Sequence, residues 1–142
     1  MQVKNIVIGG TAGGIILLLL FILVNAGMNL ITPYDVTRFP GMRGMSDPVL
    51  PFFFVYPFVV AYAQAIVFDA VRESLHGTPE RRGLSFAGLM LVIMTIPGLY
   101  VMATSMTWPV TFYAATVLWE VTGFIATGLL FARAWKTAPV PA

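Results

Sequence analysis

Apolar residues come in four long runs, Ile6 to Ile31, Leu50 to Val71, Leu84 to Met106 and Val110 to Ala132, with polar residues gathered between them. A membrane-crossing helix needs roughly 20 predominantly apolar residues. The pattern therefore predicts an all-α integral membrane protein, four transmembrane helices in a compact bundle that forms one domain over residues 1–142. The breaks carry turn chemistry. In "TPYDVTRFPGMRGMSDP", Pro33, Pro40, Pro48, Gly41 and Gly44 stop helix propagation, and Asp35, Arg38, Arg43 and Asp47 demand water. In "ESLHGTPERRG", Gly77 suits a helix C-terminus, Thr78 an N-cap and Pro79 the first helical position. The last break, "TSMTWP", is uncharged, and Pro109 sets the start of the fourth helix just after it.

Positive charge divides unevenly between the two ends. Lys4, Arg72, Arg81, Arg82, Arg133 and Lys136 share one side, and only Arg38 and Arg43 face the other. Basic loops stay cytoplasmic, so both termini are expected there, in a plasma or inner membrane. The aromatic "PVLPFFFVYPF" and Trp108 then fall toward the outer interface and Trp135 toward the inner one, as an aromatic belt. The run from Ile6 to Val24 exceeds the roughly 7–15 apolar residues of a secretory signal, so the first helix is expected to be retained despite "VNA" ending at Ala26. The closing "TAPVPA" reads as a frayed tail.

Composition agrees and narrows the chemistry. The chain is 58% hydrophobic and 10% charged, against about a quarter charged in soluble domains. Its net charge of +2 forms no continuous basic stripe, so no nucleic-acid partner is expected. With no cysteine there are no disulfides, thiolate metal sites or cysteine nucleophiles, and the lone His76 cannot supply a bis-histidine haem. No phosphate-binding loop, nucleophile elbow or zinc-protease motif occurs, so neither an enzyme nor a cofactor is expected.

Lipid is as apolar as leucine, so membrane helices associate through small residues and interhelical hydrogen bonds. "GGTAGG" places Gly9 and Gly13, and Gly10 and Gly14, four residues apart on adjacent faces. They serve either a neighbouring helix or a second copy of the chain. The same side continues to Asn25 and Asn29, expected to bond to Thr104, Ser105 or Thr107. Pro97 with Gly98 is expected to bend the third helix near mid-membrane, and Pro57 the second nearer the outer surface.

Glu120 stands near the centre of the fourth helix on a stripe of Tyr113, Thr116, Glu120, Gly123 and Thr127. Such a stripe faces the bundle or another subunit, not lipid. Tyr62 and Thr95 fall at comparable depth, with Gln64 about 3 Å further in, and these are its expected partners. No Lys, Arg or His does. Glu120 is then either a site for a proton or cation or protonated interhelical glue. Asp69, Arg72 and Glu73 form an expected interfacial charge cluster, and His76 a solvated loop residue. Met28, Met42, Met45, Met102 and Met106 gather toward the outer side and are read as packing rather than metal ligands, and the outer loop with Phe39, Met42 and Met45 as a segment lying along the membrane surface.

Three functional readings follow. The first is a structural or accessory subunit of a membrane assembly, a homo-oligomer or a larger complex, with Glu120 in its polar network. The second is a small oligomeric transporter or channel using Glu120 as its proton or cation site. The third is a lipid- or quinone-binding protein with an outer cleft near Asn25 and Asn29. The lipid bilayer is the partner common to all three.

Overall fold

The structure, a computed structural model, describes residues 2–135. Lys136 and the tail "TAPVPA" lie outside the described residues. Those described fold into helices and turns with no strand, and four helical stretches are long and apolar enough to cross a membrane: Val3–Ile31, Leu50–Ser74, Pro79–Ser105 and Val110–Ala134.

The first is α1 (Val3–Ile31). The second begins as a 3₁₀ segment, Leu50–Val55, and becomes α2 (Tyr56–Val71) with Pro57 in its first turn. Proline thus sits where its missing N–H costs nothing, and the expected irregularity takes the form of a 3₁₀-to-α change. The third stretch opens earlier than its apolar run. Thr78 Oγ1 accepts the Arg81 N–H, and α3 (Pro79–Met90) carries two arginines into its first turns. Its ladder then widens into a π turn, Leu91–Thr95, before α4 (Ile96–Ser105). Pro97 explains the widening: it has no N–H for the Ile93 carbonyl, and the Ile96 N–H reaches back five residues to Leu91. The fourth crossing, α5 (Val110–Ala134), starts directly after Pro109.

Close approach at glycine decides the packing. A Cβ on Gly10 would meet the Tyr62 ring, and one on Gly14 the Phe58 ring, both on α2. On the adjacent face, a Cβ on Gly9 would meet Trp135, and one on Gly13 would crowd Phe131, Thr127 and Ala61. All four glycines are buried within the chain, so α1 is held between α2 and α5. That occupancy removes the face expected to serve a second copy. Further along, Leu17 fills the notch at Gly123 of α5.

The crossing of α3 and α5 is closer still. A Cβ on Gly83 would lie 2.8 Å from the Gly128 carbonyl oxygen, and one on Gly128 would strike the Gly83 carbonyl. Here backbone meets backbone. By contrast α4 has no buried residue, and a Cβ on Gly98 would meet nothing within 4 Å.

One end of the bundle, where α1 and α3 begin and α2 and α5 finish, is closed by aromatic rings. Phe68 stacks edge-on with Phe86 (5.0 Å between centroids) and contacts Phe131 and Trp135. Trp135 is fully buried and donates Nε1–H to Asp69 Oδ1 at 2.9 Å. This corrects its expected place in a lipid-facing belt, because its indole N–H has a carboxylate partner inside the bundle. Asp69 also accepts the Gln2 backbone N–H at the start of α1 (3.2 Å) and pairs with Arg72 at 3.7 Å. Arg82, almost wholly buried, donates to the Ala132 carbonyl at 2.6 Å and caps the end of α5. An anion at a helix start and a cation at a helix end each meet a favourable backbone dipole. Glu73 and His76 are exposed at this end.

Replacement of Gly83 by alanine should destabilise the protein by about 1–3 kcal/mol, as overpacking against immovable backbone does. The control Gly88→Ala, whose Cβ meets nothing within 4 Å, should be neutral or slightly stabilising. Thermal unfolding followed by circular dichroism in detergent separates the two; equal melting points would refute the backbone contact.

Candidate functional site

Because α4 stands away from the bundle, a cavity of about 680 Å³ opens at the other end. Each wall follows from helical spacing. Phe21, Asn25 and Asn29 come from α1, each four residues from the next; Met94, Gly98 and Met102 repeat the same step through the π turn and α4. α5 supplies Phe112, Ala115, Thr116, Trp119 and Glu120, and the start of the second crossing supplies Leu50, Phe53, Phe54 and Tyr56. The connection after α1 folds over the mouth with Tyr34, Asp35, Met42 and Met45.

That connection is fastened to the bundle. Tyr34 donates its hydroxyl to Asn25 Oδ1 (2.6 Å) and its backbone N–H to Asn29 Oδ1 (2.9 Å). Burial raises the Tyr34 phenol above its usual pKa, so it stays protonated and keeps donating. The amide groups Nδ2 of Asn25 and Asn29 are spent on the carbonyls of Phe21 and Asn25. Both asparagines therefore anchor the loop and do not reach Thr104, Ser105 or Thr107; Thr104 bonds back to Tyr100 and Val101. Phe39 packs between Trp108 and Phe112, sealing the loop to α5. Asp35 accepts the Thr37 N–H and hydroxyl and pairs with the exposed Arg38, and these hydrogen bonds hold its carboxyl below the usual carboxylate range.

At the inner limit of the cavity lies Glu120, 8% exposed, with Oε2 fully buried and without a hydrogen-bond partner. Thr95 faces it from the π turn, close to the carboxyl yet outside hydrogen-bond geometry, and does not itself border the cavity. Tyr56 is within electrostatic reach. Behind Glu120, Trp119 donates Nε1–H to the Leu17 carbonyl at 2.9 Å and sits edge-on to Phe21 (5.6 Å).

The expected stripe is thus divided among several tasks. Tyr113 bonds to the Met106 carbonyl at 2.8 Å and closes the turn between α4 and α5. Thr116 lines the cavity while bonding to Phe112, and Gly123 receives Leu17. Thr127, fully buried, donates to Gln64 Oε1 at 2.7 Å, leaving Gln64 Nε2 unbonded. Tyr62 pairs with Thr11 at 2.7 Å on the opposite face of α2. Of the three expected partners, Thr95 alone faces Glu120; Gln64 serves Thr127 and Tyr62 serves α1. Tyr56, Trp119 and the phenylalanines were not singled out by sequence reasoning, although Trp119 and Tyr56 both sit within a turn of residues that were. Met42, Met45 and Met102 line the cavity, and the described residues hold no His, Cys or carboxylate group suited to a metal ion.

Comparison of the chain with protein-family models, with curated proteins and with solved structures finds no match. The functional reading therefore rests on the cavity and the group at its floor.

Glu120→Gln should leave the melting point of the ligand-free protein unchanged or raise it, because Oε2 contributes no bond and burial of a carboxyl is costly. Thr127→Val, which strands Gln64 Oε1, should lower stability by about 0.6–1 kcal/mol. A loss above about 1 kcal/mol in Glu120→Gln would identify the carboxyl as structural glue instead.

Proposed function

We propose that this small membrane protein binds one amphiphilic molecule in the cavity, with its apolar body along the aromatic and methionine walls and its polar head near Glu120. The observation that carries this reading is the cavity itself: about 680 Å³, mostly apolar, ending on a buried oxygen that lacks a partner. That combination, an apolar lining with few convergent polar groups, and that size suit a single small ligand. The orientation expected from basic residues puts the mouth at the outer face of a plasma or inner membrane.

The other readings find less to stand on. Transport through one chain needs a route past the floor, and there the Thr127–Gln64 pair and the Phe68, Phe86, Phe131 and Trp135 rings fill the bundle. An accessory role would draw on a face such as that of the α1 glycines, and these are occupied within the chain.

Gly98→Phe tests the proposal, since its Cβ enters open space on the cavity wall and the ring would occupy the cavity. With a neutral apolar fluorophore and protein in nanodiscs, the wild type should take up about one equivalent and the variant at least tenfold less, with melting points alike. Equal uptake by both, or none by the wild type beyond that of empty discs, would overturn the reading.

A further inference from the structure

We propose that the amphiphile is a single-chain alkylammonium, bound head-first with its ammonium group on the Glu120 carboxylate at the cavity's inner limit. This rests on the amphiphile reading and adds the identity and direction of the head.

The direction follows from which polar groups are free. At the mouth, the side chains of Asn25, Asn29 and Tyr34 have given their hydrogen-bonding capacity to one another and to the backbone, and Asp35 is held by Thr37 and Arg38. At the floor, Glu120 borders the cavity, and its Oε2 is buried and unbonded. Of the two carboxylates bordering the cavity, Asp35 pairs with Arg38, whereas among the described residues no basic group pairs with Glu120 at the inner limit. An N–H donor can pair with that carboxylate, which relieves the cost of a buried acid without a partner.

The charge follows from the rest of the lining. Two carboxylates, Asp35 and Glu120, border the cavity, and no Lys or Arg does. A cation entering is therefore attracted without opposition, whereas an anion meets like charge in a poorly solvated site. Rings complete the arrangement. Trp119 lies against Phe21 (5.6 Å) and Tyr56 (5.9 Å), and Phe21 against Phe53 (5.6 Å), all bordering the same space as Glu120. Aromatic faces stabilise an ammonium group within about 6 Å of their centroids. A phospholipid fits poorly, since its phosphate would have to enter beside Glu120. A neutral head would forgo both the carboxylate and the rings.

Dodecylamine, protonated at pH 7, and dodecanol are matched probes that differ in charge. Binding is measured by competition with radiolabelled dodecylamine on protein in zwitterionic nanodiscs, with empty discs subtracted. The wild type should bind the amine at least tenfold more tightly than the alcohol. Glu120→Gln should lose that preference while still binding the alcohol, and Glu120→Asp should keep a reduced preference. Equal affinity of the wild type for both probes, or undiminished amine preference in Glu120→Gln, would overturn the ammonium assignment while leaving the amphiphile reading intact. Failure of both probes to bind the wild type would remove both. If Glu120→Gln does not fold, the amine-to-alcohol ratio of the wild type decides alone.

Discussion

Without water to drive apolar surfaces together, helices in this chain hold one another chiefly where backbones can approach, with hydrogen bonds between them. Six glycines set those places. Gly10 and Gly14 admit Tyr62 and Phe58 of α2; Gly9 and Gly13 admit Trp135 and Phe131 of α5; Gly83 and Gly128 let α3 and α5 touch backbone to backbone. The segment that follows the π turn has no such notch against the bundle. Gly98, its one glycine, faces open space, and α4 buries nothing. The cavity is the consequence: three contacts built on glycine close the bundle, and a fourth helix that lacks one leaves it open.

The two ends of the bundle treat buried polar groups in opposite ways. At the closed end Asp69 takes the N–H groups of Gln2 and Trp135, and Arg82 takes the last carbonyls of α5. Those bonds tie α1, α2, α3 and α5 together at that end. At the floor of the cavity Glu120 keeps an unbonded buried oxygen. Burial without pairing costs stability unless something else supplies the partner. A molecule entering from the cavity can supply it; lipid chains cannot.

Much of the architecture was legible in the residues because length and hydropathy dictate membrane helices directly. The break at Pro109, the cap at Thr78 and Pro79, and the irregularity before Pro97 all follow from proline chemistry. Gly9 to Gly14 announced close packing by their spacing, and the spacing left open which helix would fill each notch. The Gly83–Gly128 crossing was also present as Gly83 with Ala87 and Gly128 with Ala132, pairs four apart on α3 and α5. Side-chain partners were the harder part. Stepping along a helix shows which residues share a face, and depth shows which could meet, but neither shows rotation about the axis. Tyr62 and Gln64 are two residues apart on α2, so they point to different neighbours, Thr11 and Thr127. Asn25 and Asn29 were claimed by Tyr34, nine and five residues further along the chain, before α4 could reach them.

That capture has a consequence for the site. Had the asparagines bonded to the end of α4, they would have drawn it onto α1 and filled the space that Phe21, Met94 and Met102 now border. With the amides turned to Tyr34, α4 is held by the π turn at one end and, at the other, by the Tyr113 hydroxyl, which bonds the carbonyls of Met102 and Met106. A helix tethered at its ends and unpacked along its length can shift outward at small cost in contacts. Its cavity face carries Met94, Gly98 and Met102, two flexible thioethers around a glycine, so the wall most able to move is also the one most able to adapt to the shape of an apolar chain.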